Sequence, residues 1–125
     1  YFLTTGITSH IALDACKFLK KTANLDCGVV HFSTIKPLDK ILLKKIIQNS
    51  KKIITVEENV KAGGFGSSIL EFSSELSNTT KKANIKIMSL KDEFLKKYGT
   101  QQELLEYSGL TYKNLSKNMR DFIKR

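Results

Sequence analysis

Six residues on one stretch of the chain have the types and spacing to do chemistry: Glu57 and Glu58, followed by Gly63, Gly64, Phe65 and Gly66. A glycine-rich turn that opens a helix exposes backbone N–H groups at the positive end of the helix dipole, a ready site for an anion. The run Gly64-Phe65-Gly66-Ser67-Ser68-Ile69 falls one residue short of the dinucleotide fingerprint, because Ile69 stands where the third glycine belongs. It also follows the third expected strand, and no acidic residue on a later strand end matches it. No GxxxxGK[ST] phosphate loop occurs. The sequence favours a plainer reading of the glycines, close approach of backbone to backbone within the domain or at a subunit contact. Glu57 and Glu58 are neighbours on an expected strand, so their side chains point to opposite faces and cannot pair as general acid and base. One of them, semi-buried at the carboxyl end of a parallel sheet, is a candidate contact.

The remaining reactive side chains do not assemble into a site. His31 lies within an apolar strand and is expected to be a hydrogen-bonded core or interface residue, while His10, near a helix start, is expected to be exposed. Ser33 and Ser67 have no evident base and acid partners for nucleophilic chemistry. Cys16 and Cys27 are the only cysteines and have no CxxC spacing, so two free thiols in a reducing compartment are expected. With two histidines and neither spaced to complete a ligand set, no metal site is expected. Asn78-Thr79-Thr80 and Asn114-Leu115-Ser116 match the glycosylation pattern, which carries no weight without a secretory signal. Catalytic, cofactor-binding and metal-ligating residues are therefore all expected to be absent from this chain.

The elements that would position Glu57 to Gly66 alternate between strand and helix. Phe2 to Thr5 reads as the tail of a strand already under way, which predicts that polypeptide precedes it. Gly6 turns the chain, and Thr8 or Ser9 is placed to cap a helix with Ile7, Ile11, Ala12, Ala15, Phe18 and Leu19 on one face. Cys27 to Phe32 is a β-branched run expected to be a buried strand. Pro37 breaks it, and a helix from about Asp39 to Asn49 is expected to turn Leu38, Ile41, Leu42, Ile46 and Ile47 inward. Ile53-Ile54-Thr55-Val56 has no polar alternation, the signature of a strand covered on both faces. Phe65, Ile69, Phe72 and Leu76 make the apolar stripe of the next helix. A polar loop from Ser77 to Lys82 leads to Ile85-Lys86-Ile87-Met88, whose alternation suits an edge strand. A short helix around Glu103 to Tyr107 and a last one from Leu115 to Ile123 close the chain. Such alternation predicts an α/β three-layer domain with a largely parallel sheet.

Composition narrows the function classes. A chain of 125 residues fits one domain, 1–125, and 41% hydrophobic residues suffice for its core. No apolar run approaches the roughly 20 residues of a membrane-spanning helix, so no membrane partner is expected. The net charge of +9 raises the question of an acidic partner. Its lysines come as pairs spread over every segment, and only two basic residues are Arg, the better reader of phosphates and guanine. Nucleic acid is therefore not an expected partner.

Several stretches, in order, resemble one family. Ile35-Lys36-Pro37-Leu38-Asp39 resembles the turn after the second strand of transketolase carboxy-terminal domains. Ile54-Thr55-Val56-Glu57-Glu58-Asn59, followed by Gly63-Gly64-Phe65-Gly66-Ser67, is similar to their TVEE…GGFGS signature. Asp92-Glu93-Phe94, Tyr98-Gly99, Leu104-Leu105 and Gly109-Leu110 resemble their terminal pattern, and Thr5-Gly6 the end of their first strand. Many members carry Arg where this chain has Ser33, so any ion pair made by that Arg is missing here.

The resemblance implies an α/β three-layer sandwich with a mostly parallel five-stranded sheet. It further implies that the domain is a fragment of a longer chain or a small subunit of a thiamine-diphosphate enzyme. Transketolase is the favoured parent, then deoxyxylulose-phosphate synthase, then a 2-oxoacid dehydrogenase beta subunit. Such parents are homodimers that hold thiamine diphosphate and a divalent metal such as Mg chiefly between amino-terminal diphosphate- and pyrimidine-binding domains. The third domain supports assembly and has been proposed as a regulatory ligand site. No catalytic residue carries over. Glu57, Glu58, Gly63, Gly64 and Phe65 match the interface-proximal segment, and with Gly66 they are the candidate interface or anion contacts. The parent is expected in the cytoplasm, or in a plastid-type organelle if eukaryotic. A small-anion-sensing binding module is the alternative from another class.

Overall fold

The computed structural model describes residues 1–77 and 81–124. Four strands, β1 (Phe2–Thr4), β2 (Val29–His31), β3 (Lys52–Val60) and β4 (Asn84–Leu90), form one sheet in the order β2-β1-β3-β4. Every neighbouring pair is parallel. Among the described residues there is no fifth strand. The segment after β4, residues 91–100, is exposed throughout and pairs with no strand.

Strand alternation splits the core in two. On β1, Phe2 packs with Ile54 and Val56 of β3 against helices α1 (Thr8–Ala23), α4 (Gln101–Tyr107) and α5 (Tyr112–Ile123). Leu3 and Ile53 point the other way, into α2 (Lys40–Asn49) and α3 (Phe65–Glu75). The two clusters are the two interfaces of a three-layer sandwich, and each fully buried Leu, Ile or Phe side chain contributes about 1.5–3 kcal/mol to it. No helix of the described residues is long and apolar enough to cross a membrane.

Several local expectations are corrected. The run Cys27 to Phe32 yields only three strand residues, and these are half-buried or exposed, because β2 is an edge strand with one paired side. Helix α2 turns Leu43, Ile46 and Ile47 inward and leaves Ile41 87% exposed and Leu42 37% exposed. The sequence Ile41-Leu42-Leu43 offers adjacent stripes, and the Asp39 cap, which accepts from Leu42 N at 2.9 Å, fixes which one faces the sheet. Helix α1 starts at Thr8 without a side-chain cap. The Thr8 hydroxyl instead donates to the Thr5 and Val56 carbonyls, at 2.7 and 2.9 Å, tying the helix start to the end of β1 and the middle of β3. The Lys36–Pro37 peptide is cis. Asn78, Thr79 and Thr80 lie outside the described residues, and with them one glycosylation match and the middle of the polar loop.

Candidate functional site

Strand β3 carries Glu57 and Glu58 near its carboxyl end, and its alternation sends the two side chains into different layers. Glu57 shares a face with Ile53 and Thr55, so it points toward α3, while Glu58 points toward α4. The Glu57 side chain is 1% exposed. Its Oε2 accepts from Phe65 N at 2.6 Å and its Oε1 from Gly66 N at 2.9 Å. These are the first backbone donors of α3, and a carboxylate on them satisfies two orphan N–H groups and meets the positive end of the dipole. The anion that the glycine-rich turn was built to receive is thus part of the chain.

The glycines have separate reasons. Gly63 has φ +68°, which only glycine adopts without strain. At Gly64 a Cβ would collide with Glu57 Oε2 and the Val60 carbonyl oxygen. At Gly66 a Cβ would lie 2.5 Å from Thr55 Oγ1 and 2.8 Å from Ile87 Cγ1. So Gly64 lets the carboxylate reach the helix, and Gly66 lets the helix settle on β3 and β4. Phe65 is 2% exposed and packs its ring on Phe32, centroids 5.4 Å apart. Ser67 closes the turn by donating its hydroxyl to the Lys61 carbonyl.

The six candidate residues do converge, but four of them face inward. Gly64, Phe65 and Gly66 are buried with Glu57, whereas Glu58 and Gly63 are exposed. Glu58 accepts from the Gln101 side chain at 3.0 and 3.2 Å, pinning the start of α4 to the rim of the sheet. Sequence reading missed Gln101, which lies 43 residues away with no motif to mark it. It also missed the capping box of α4, although Thr100-Gln101-Gln102-Glu103 spells one: the Thr100 hydroxyl and the Glu103 carboxylate satisfy each other's backbone N–H groups.

Beside this rim, Thr4 and Ser9 share a hydroxyl hydrogen bond of 2.8 Å, and Ser9 Oγ lies 2.8 Å from His31 Nδ1. His31 is hydrogen-bonded but exposed at the end of the edge strand, and among the described residues no carboxylate orients it. His10 is exposed, on the wall of an open groove of about 800 Å³ between α1 and α4–α5, with Ile7, Ile11, Leu105 and Leu110 at its base. Cys16 on α1 and Cys27 before β2 are free and half-buried. Their side chains hydrogen-bond to each other, which pushes the Cys16 thiol up and the Cys27 thiol down from the ordinary range. Burial raises both, but at Cys27 the hydrogen bond from Cys16 outweighs it. Among the described residues no three His, Cys, Asp or Glu side chains gather as a metal site.

The fold and the site define a parallel α/β domain whose glycine-rich helix start is closed by its own carboxylate. The family model described as "Transketolase, C-terminal domain" matches residues 1–115, and the chain belongs to that family. It is 36% identical over 123 residues to the 1-deoxy-D-xylulose-5-phosphate synthase of Geobacillus sp. (strain WCH70), covering 98% of this chain and 19% of that protein. It is 39% identical over 118 residues to the synthase of the same name from Bacillus licheniformis, covering 94% of this chain and 18% of that protein. A solved structure titled "Split gene transketolase, inactive beta4 tetramer" superposes with a TM-score of 0.82 at 28% identity, over 96% of this chain and 37% of that one. The chain therefore spans less than a fifth of the length of the synthases it matches.

The family is one of thiamine-diphosphate-dependent transferases. The described residues do not suit the diphosphate. Their glycine-rich helix start has its first two free donors taken by Glu57, and no acidic cluster among them stands by to hold a metal.

Proposed function

We propose that this chain is the assembly domain of a thiamine-diphosphate transferase of the 1-deoxy-D-xylulose-5-phosphate synthase type. The observation that carries the proposal is the buried Glu57 carboxylate on the start of α3, which turns the domain's best ligand motif into an internal strut. The same occupancy counts against a small-anion sensor at the glycine turn, because the donors such a sensor needs are already used.

Between the family's members, the relatives tilt the reading. The sequence motifs favour transketolase, but the synthases stand at 36 and 39% identity against 28% for the split-gene transketolase chain. By family resemblance the parent moves a two-carbon ketol or acyl unit from a ketose or 2-oxo acid to an aldehyde acceptor. The cofactor supplies the carbanion chemistry. In this reading thiamine diphosphate and a divalent ion such as Mg are held by diphosphate- and pyrimidine-binding domains, in the same polypeptide or in a separate subunit, and the parent is a homodimer. Two neighbouring thiols left unbonded are in keeping with a cytoplasmic or plastid-type compartment.

The test is an assay of the full gene product with thiamine diphosphate, run beside the 125-residue chain alone. The full product is expected to form the synthase product and the isolated chain to do nothing. Turnover by the isolated chain would falsify the assembly role.

A further inference from the structure

One family motif remains unexplained by the domain's own packing. Residues 91–100 are exposed without interruption, and within them Phe94 is 98% exposed and Tyr98 fully so. Asp92-Glu93-Phe94 and Tyr98-Gly99 are motif positions, yet neither aromatic ring joins either core cluster. The segment is nonetheless held at both ends. Leu90 pairs with Val60 where it leaves β4, and the Thr100–Glu103 capping box with the Gln101–Glu58 contact fixes its return into α4. Partway along, Leu95 lines a small hollow with Tyr107, and Lys97 Nζ sits 4.9 Å from the Tyr107 ring centroid. The result is a strap along the carboxyl rim of the sheet, anchored at its ends, with two aromatic side chains four residues apart standing in solvent.

We infer that this strap is a docking element, and that Phe94 and Tyr98 insert into an apolar surface on the companion domains of the parent enzyme. This rests on the assembly reading above and names the surface that performs it. Large aromatics at such exposure are the side chains that gain most from being covered, and aromatic anchors dominate interface energies. The occupant has a source: in the matched synthases this domain is 18–19% of the chain, so most of the polypeptide lies beside it. A second copy of the domain is the poorer occupant, because a net charge of +9 on each copy repels self-association. The charges around the aromatics are of both signs, Asp92 and Glu93 beside Lys91, Lys96 and Lys97, and Lys91 lies 3.8 Å from Glu93, so the rings and not a net charge select the receiving surface.

The experiment compares three forms of the full gene product: unaltered, lacking residues 1–125, and carrying Phe94→Ser with Tyr98→Ser. Subunit association is read by sedimentation, and activity with thiamine diphosphate alongside it. The double variant is expected to weaken association about 100-fold, two anchors at roughly tenfold each, and Phe94→Leu with Tyr98→Phe is expected to restore most of it. The thermal unfolding of the 125-residue chain should be unmoved by the serine changes, since neither ring packs in its core. If deletion disrupts the parent but the serine variant assembles normally, the strap inference is wrong and the assembly reading stands. If the deletion itself leaves assembly and activity intact, both fail. If the isolated chain self-associates and the serine changes abolish that, the occupant is a second copy and the inference is overturned.

Discussion

Glu57 and Phe65 are joined by a 2.6 Å hydrogen bond from the Phe65 backbone N–H to a carboxylate oxygen sealed from solvent. With the second bond from Gly66 N, this single side chain couples the end of the central strand to the start of α3. Replacing it with alanine leaves two N–H groups at a buried helix start without partners and opens a cavity. The expected cost of Glu57→Ala is about 3 kcal/mol, from charge-assisted bonds of about 1.5–3 kcal/mol each less what water recovers. Glu57→Gln keeps one acceptor but sets an NH₂ against an N–H, so it should fall about halfway. Urea unfolding of the isolated chain measures both. An alanine variant as stable as the parent would show that the bond does not hold the domain together.

How far this pair was legible in the sequence depends on the information each residue needed. The alternation along Ile53 to Glu58 settles that the two glutamates face opposite layers, and the structure keeps that division. The glycines signalled close approach of backbone to backbone and the turn signalled a contact for a small anion, whereas the structure sets side chains against Gly64 and Gly66 and the chain's own Glu57 on the helix start. What the sequence could not supply was that the anion and the approaching group are the same side chain. That required knowing how far β3 runs before the chain doubles back, and the irregular register between Val56 and Val60 has no one-residue signature. For a similar reason Cys27 to Phe32 misled. Its apolar run is real, but burial of a strand depends on its place in the sheet, and a 2-1-3-4 order puts β2 at the edge. In α2 the local pattern was ambiguous by one residue, and packing chose Leu43 over Leu42 and Ile41. The four strands were readable from three short apolar runs and one alternating run, and the alternating one does lie at the sheet edge; the strap was not, because its residues carry no strand or helix period.

The thiol pair gives a prediction about reactivity. Cys16 donates to Cys27, holding the first thiol protonated and easing ionisation of the second. Both are half-buried, so access does not separate them and the fraction ionised does. Iodoacetamide at neutral to mildly alkaline pH should therefore label Cys27 ahead of Cys16. In Cys27→Ala the hydrogen bond is gone, and labelling of Cys16 should speed up. Peptide mapping over time reads both sites, and equal rates in the unaltered chain would contradict the hydrogen-bonded arrangement.

The capping box of α4 predicts a pH response confined to one helix end. Glu103 has its carboxyl held below the usual 4.5, first by the Thr100 backbone N–H at 2.8 Å and then by the Thr100 hydroxyl at 2.9 Å. A carboxylate whose folded pKa is depressed adds stability that is complete above its unfolded value and is lost as pH falls through the folded value. The helix start should accordingly hold at about pH 5 and above, and loosen only once the medium is more acid than about 4.5. Because the group is fully exposed the effect is local, so the readout is amide exchange at Thr100 and Glu103 rather than global unfolding. Exchange at those two amides should quicken as pH drops through that window, relative to amides in the middle of α5. In Glu103→Gln, which has no proton to gain, the acid-dependent part of the change should vanish. Persistence of the acid response in the glutamine variant would place its origin elsewhere in the domain.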